Sequence, residues 1–180
     1  MVRFSGVPSL KDALDDTAES TGFSGVVRID RSGDTELSAA YGFADRGHGV
    51  PNTVETQFAI ASGSKTLTAL AAMALVERGT LQLGTTARSL LGDDLPLVAD
   101  DVTVEHLLAH RSGIGDYLDE EAIDDITDHV MTVPVHELAT TEQFLPVLQG
   151  HKTVSRAGER FEYNNGGYVC LLYTSPSPRD

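Results

Sequence analysis

The stretch FAIASGSKTLTALAAMALVERG, residues 58–79, puts a serine and a lysine three positions apart at the head of an apolar segment. A serine hydroxyl is a weak nucleophile near neutral pH and needs a base beside it. At helical spacing Lys65 lies about one turn from Ser62 on the same face. Burial and the positive end of the helix dipole both disfavour an ammonium there, so an uncharged, basic amine is expected at Lys65. Lysine occurs at positions 11, 65 and 152, and only Lys65 has a serine three places before it. Tyr163-Asn164-Asn165 is the only Tyr-x-Asn of the chain. Taken alone, Ser62 would be a plain helix cap and Lys65 a surface lysine.

The elements that must hold these groups follow from pattern and punctuation. Residues 9–20 (SLKDALDDTAES) form an amphipathic helix pattern closed by Thr21-Gly22. GFSGVVRID and ELSAAYGFA have strand composition, joined around Arg31-Ser32-Gly33-Asp34 as a hairpin. Residues 45–57 are turn-rich and polar. From Lys65 to Val76 nearly every side of the helix is apolar or small, which indicates burial, and Gly79 stops it. Residues 81–96 connect through short helical turns. TVEHLLAH opens a helix capped by Thr103, RSGIGDY is a Gly-rich turn, and residues 119–150 lean helical and acidic. AGERFEYNNGGYV is a turn feeding a further helix. Two strands followed mostly by helices predict an α+β protein with an unfinished sheet.

With its Ser62-x-x-Lys65 and Tyr163-x-Asn165 motifs, the chain resembles the serine β-lactamase and penicillin-binding-protein superfamily, on its class C and esterase side. SGVVRID, YGFADRGHGVPNTVETQFAIASGSKTLTALA, HLLAHRSGIGDY and AGERFEYNNGGYV carry the resemblance over residues 20–169. It implies an antiparallel sheet flanked by helices plus a helical subdomain. It also implies that Ser62 forms an acyl-enzyme, that Lys65 and Tyr163 share the proton work, and that Asn165 holds Lys65 and the substrate. Which of Lys65 and Tyr163 is the resting base stays open. The backbone N–H of Ser62 would supply half of an oxyanion hole. Tyr117 aligns with a family position near the cleft mouth and is a candidate substrate contact. Implied substrates are a small ester, a β-lactam, or a D-amino-acid peptide or amide; no cofactor and no metal is implied. The alternative is a non-catalytic penicillin-recognising or scaffold protein of the same fold.

The family also needs a Lys-Thr-Gly or variant triplet on a strand facing the serine, and none follows Asn165 in these 180 residues. Moreover, Cys170–Asp180, CLLYTSPSPRD, reads residue for residue as the in-frame translation of a transposase-based sequencing adapter. The expectation is therefore an incomplete β-lactamase-related domain over 1–169, truncated and lacking the later sheet strands, with an adapter-derived tail over 170–180. Such a piece would expose strand edges and an apolar helix face, and is expected to be poorly soluble and inactive by itself.

Composition narrows the classes further. Thirteen basic against twenty-seven acidic side chains give a net charge of -14, which disfavours nucleic acid and anionic membranes as partners. One cysteine leaves no disulfide framework and no multi-cysteine metal site. MVRFSGVPSLKDALDD lacks a signal-peptide core and no apolar run spans a bilayer, so the chain as written is expected in the cytoplasm. The sequence sets no oligomeric state. His106 and His110, four apart on a helix face, suit a metal by spacing, with Asp116 as a third ligand since Glu105 faces away, but are more simply scaffold histidines. Ser112 lacks the preceding glycine of a nucleophile elbow, and Ser64 reads as first-turn polarity. The acidic run DEEAIDDITD, residues 119–128, reads as a solvated face.

Overall fold

The computed structural model describes residues 9–118, 125 and 129–174, and its chain divides into two compact units, 1–59 and 60–180. The acidic run, apart from Asp125, and the two chain ends lie outside the described residues.

The first unit holds α1 (Leu10–Thr21) and four short strands. Ser9 caps α1 by accepting the Asp12 N–H at 3.1 Å, and the Asp12 carboxylate accepts the Ser9 N–H at 3.3 Å. This reciprocal box satisfies two of the helix's otherwise unpaired donors. Gly22 closes α1 in the left-handed region, at φ 65°. β1 (Gly25–Arg31) and β2 (Asp34–Tyr41) pair antiparallel with Val27 opposite Ala39. Ser32 and Gly33 join them with φ of 53° and 94°, a turn of two left-handed residues whose twist suits a hairpin.

Residues 45–57, expected as loop, contribute to a second small pairing. β3 (Phe43–Asp45) pairs antiparallel with β4 (Val50–Pro51). Its strands are too short to leave a periodic signal, and a side chain pins the start of it. Asn52 donates to the Tyr41 carbonyl at 2.8 Å and to Ser24 Oγ at 3.2 Å.

The second unit is helical. A 3₁₀ turn (Ala61–Ser64) leads into α2 (Lys65–Glu77), followed by α3 (Ala87–Leu91), α4 (Val104–Leu108), α5 (Thr141–Leu148) and α6 (Asn165–Thr174). α6 packs against the other four helices of this unit. Leu91, Val102, Val104, Leu107, Cys170 and Leu171 form the heart of the core. Each fully buried Leu or Val contributes roughly 1.5–3 kcal/mol. The expected 169/170 boundary falls inside α6. Between α3 and α4 the backbone makes only scattered turn hydrogen bonds, such as Val98 N–H to the Leu95 carbonyl at 2.9 Å, and Arg88 adds to them. Its guanidinium donates to the carbonyls of Gly92, Asp94, Leu95 and Val98 at 2.7–2.9 Å.

Two sequence expectations fail here. α2 is apolar on nearly every side but not buried: only Ala72 is, while Leu67 and Leu70 are 63% and 62% exposed. An all-round apolar helix needs covering layers on every side, and within its own unit α6 packs on α2 along one of them. His110 does not share a helix face with His106. α4 ends at Leu108, and His110 has a left-handed backbone, φ 53°.

The loops at 111–116 and 151–155 meet backbone to backbone. Val154 N–H donates to the Gly113 carbonyl at 2.9 Å, and a Cβ on Gly113 would lie 2.2 Å from the Ser155 carbonyl oxygen. Gly113 also has φ of 65°, where a side chain adds strain. Gly113→Ala is therefore expected to lower unfolding stability by ~2–4 kcal/mol, measured by urea titration; a loss under ~1 kcal/mol would contradict this packing.

Candidate active site

Ser62 sits in the 3₁₀ turn just before α2. Ala61, its predecessor, has φ of 42°, a left-handed conformation rarely held by a residue with a side chain. The turn is closed by Gly63 N–H donating to the Ile60 carbonyl at 2.8 Å and Ser64 Oγ donating to the Ala61 carbonyl at 2.7 Å. Ser64 thus shapes the turn that carries the nucleophile candidate.

Three of the singled-out side chains converge on that turn. Lys65 Nζ donates to Ser62 Oγ at 3.1 Å and to Asn165 Oδ1 at 2.8 Å. Tyr163 Oη lies 2.6 Å from Ser62 Oγ. The face of the Tyr163 ring lies 4.8 Å from Lys65 Nζ, and that of Tyr168 5.7 Å. Electron-rich ring faces attract a cation. The burial premise for an uncharged amine does not hold, because Lys65 is only half-buried and Ser62 is exposed.

Helix α6 places Asn165, and His110 places Tyr163. The imidazole of His110 stacks on Tyr163 at 4.6 Å and on Tyr168 at 5.0 Å, both at 28°, while Phe161 meets it edge-on at 5.8 Å. Its Nδ1 accepts the Asn164 N–H at 3.0 Å. That role requires a lone pair on Nδ1. His106 is engaged elsewhere, its Nδ1 accepting the Thr103 N–H at 3.3 Å as part of the α4 cap. Among the described residues no group of three or more His, Cys, Asp or Glu side chains is placed to hold a metal.

Tyr117 is not among the residues gathered at Ser62; its ring packs on Phe144 at 5.9 Å. Its neighbour Asp116, which the sequence offers only as a third metal ligand beside the two histidines, accepts the N–H groups of Asn165 and Gly166, the latter at 3.1 Å. Ser112 is buried in the same loop. A cavity of about 480 Å³ opens beside Tyr163, lined by Ile114, Asp116, His151, Lys152 and Glu162 among others. The space is ample for a small organic group.

A serine hydroxyl touched by an amine and a phenol, with a carboxamide behind the amine, brings together the groups that activating a hydroxyl requires. A sequence profile of the Beta-lactamase family matches residues 10–174, and the chain belongs to that family. Esterase EstB of Burkholderia gladioli is 40% identical over 101 residues, covering 54% of this chain and 26% of EstB. The crystal structure of a penicillin binding protein from Bacillus halodurans superposes with a TM-score of 0.79 at 38% identity, covering 90% of this chain and 49% of that one. D-amino acid amidase from Ochrobactrum anthropi SV3, complexed with L-phenylalanine amide, superposes with a TM-score of 0.66 at 27% identity, covering 87% and 40%. The chain thus has the β-lactamase and penicillin-binding-protein fold, and spans a quarter to a half of the length of these proteins. No helix among the described residues is long and apolar enough to cross a membrane.

Burial, and then the positive charge of Lys65, hold the His110 imidazole below the usual histidine range. On acidification the unfolded chain therefore takes up this proton before the folded one. The contribution of His110 is fully present above pH ~6.5 and is lost as pH falls toward its lowered folded value. Wild type should lose more stability than His110→Phe between pH ~7.5 and ~5, read as urea midpoints. Parallel losses would contradict the neutral, stacked imidazole.

Proposed function

We propose that the whole protein is a serine acyl hydrolase of the class C and esterase type, working through an acyl-enzyme on Ser62. The observation that carries this reading is the double contact of Ser62 Oγ, with Tyr163 Oη at 2.6 Å and Lys65 Nζ at 3.1 Å. Ser62 Oγ attacks the acyl carbon of an ester or amide, and its proton passes to the Tyr163–Lys65 pair, which accepts it when one of the two, phenol or ammonium, has already given up its own proton. The pair returns the proton to the departing alkoxide or amine. A water molecule then repeats the sequence and frees the acid. Both Lys65 Nζ and Tyr163 Oη touch Ser62 Oγ, so either can serve as the base.

Asn165 steadies Lys65 by accepting from its Nζ at 2.8 Å, so the amine cannot swing away when Ser62 gives up its proton. The Ser62 N–H is one donor for the oxyanion. The second, which the family draws from a strand bearing Lys-Thr-Gly or a variant, has no counterpart after Asn165 in these 180 residues. The chain by itself is therefore expected to be inactive. The cavity beside Tyr163 receives the side chain of the acyl or leaving group, and Tyr117, which stands in sequence between the lining residues Asp116 and Leu118, is the proposed substrate contact. A small ester, a β-lactam or a D-amino-acid amide all present the required carbonyl.

The test uses the whole protein with a short-chain p-nitrophenyl ester, a fluorescent β-lactam and a D-amino-acid amide. Turnover of at least one is expected to fall at least ~10³-fold in Ser62→Ala and ~10²–10⁴-fold in Tyr163→Phe. Retention of turnover by Ser62→Ala, or no turnover of any class by wild type, would contradict the assignment; the second result would favour a binding protein.

A further inference from the structure

We propose that Asp116 is a positioning residue for the Ser62–Lys65 pair, acting through the backbone of Asn165. The inference rests on the catalytic reading above and adds a residue to it. Asp116 Oδ2 accepts the Asn165 N–H, and Oδ1 accepts the N–H groups of Gly166 at 3.1 Å and of Tyr117 at 2.8 Å. These first two donors open α6. The next N–H of α6, on Gly167, already has a local acceptor in Asn164 Oδ1 at 2.6 Å. Asp116 therefore does not duplicate the helix's own cap; it takes the two amides that the local cap leaves.

The consequence falls on one side chain. With its backbone N–H tied to Asp116, Asn165 has its Cα fixed, and its carboxamide reaches Lys65 Nζ at 2.8 Å. A carboxylate, two peptide bonds' worth of rigid helix start and one carboxamide thus form a continuous support from the 111–116 loop to the amine. Gly166 lets the helix start lie close to Leu148, since a Cβ there would come within 2.5 Å of Leu148 Cδ2, and it would meet Asp116 Oδ1 at an ordinary 3.4 Å.

Burial raises the Asp116 carboxyl above the ordinary carboxylate range, while the N–H groups of Asn165, Gly166, Tyr117 and Leu118 pull it back. Other charged or titratable groups face the same place: His110 and Cys170, whose titration feels the Asp116 charge; Lys65 beyond Asn165; and His151, Lys152 and Glu162 along the cavity. A proton on Asp116 would set an O–H against inward-pointing N–H donors and loosen the support. Acylation of Ser62 should then decline in acid at a pH above the ordinary carboxylate range.

The experiment compares wild type, Asp116→Asn and Asp116→Glu in the whole protein, following Ser62 acylation by an activated ester across pH and the Asn165 side-chain amide by NMR. Expected are a ~10- to 100-fold slower acylation in both variants, KM within about twofold, and loss of the raised acid limb in Asp116→Asn. The Asn165 carboxamide resonances should move in Asp116→Asn whether or not the protein turns over. That readout separates a failure here from a failure of the Ser62 assignment, which the Ser62→Ala variant reports. Wild-type acylation rate with an unchanged acid limb in Asp116→Asn, or unmoved Asn165 resonances, overturns the proposal. Should Asp116→Asn not fold, wild type lacking the raised acid limb, or Asp116→Glu acylating at the wild-type rate, overturns it.

Discussion

Lys65 Nζ joins two segments a hundred residues apart, the turn carrying Ser62 and the start of α6 carrying Asn165. Everything else at the site serves that bridge. A lysine side chain has four rotatable carbons and little reason to keep one pose in water. Here two oxygen acceptors and two ring faces restrain it. The bridge is therefore only as exact as the placement of its far anchor, and that placement is a matter of backbone packing around α6.

That packing is built from small residues and buried polar contacts. Gly113 lets the 111–116 loop lie against the 151–155 segment, and Gly166 lets α6 begin against Leu148. Buried Asn164 binds in two directions, donating to the Ile114 carbonyl at 2.9 Å and accepting from Gly167 N–H. His110 fills the space between Tyr163 and Tyr168, so the phenol is held by stacking on one side and by Ser62 at its tip. The left-handed backbone at Ala61 and at His110 marks both as places where the surrounding structure overrides local preference. In contrast, the apolar flank of α2 at Leu67, Leu70 and Met73 contributes nothing to the site and lies exposed.

Much of the site was legible in the sequence because its chemistry-bearing residues stand in short, spaced motifs. Ser62, Lys65, Tyr163 and Asn165 could be named from Ser-x-x-Lys and Tyr-x-Asn, and the structure gathers them. The hairpin turn at Ser32-Gly33 and the cap at Thr103 were legible for the same reason: local chemistry decides them. The hold of Asp116 on the start of α6 was not, since a lone aspartate in a chain with twenty-seven acidic residues carries no pattern, and its partners lie about fifty positions away. His110 was misplaced because helical spacing was extended two residues past the real end of α4. α2 misled for a different reason. Its composition reports the surroundings the helix is suited to, whereas its exposure reports those it has.

The most direct test of the bridge is the rate at which a fluorophosphonate labels the whole protein, followed by intact mass and peptide mapping. A single adduct on Ser62, formed at least ~10²-fold more slowly in Lys65→Met, is the result this geometry predicts. Labelling elsewhere, or an unchanged rate without the Lys65 amine, would contradict it.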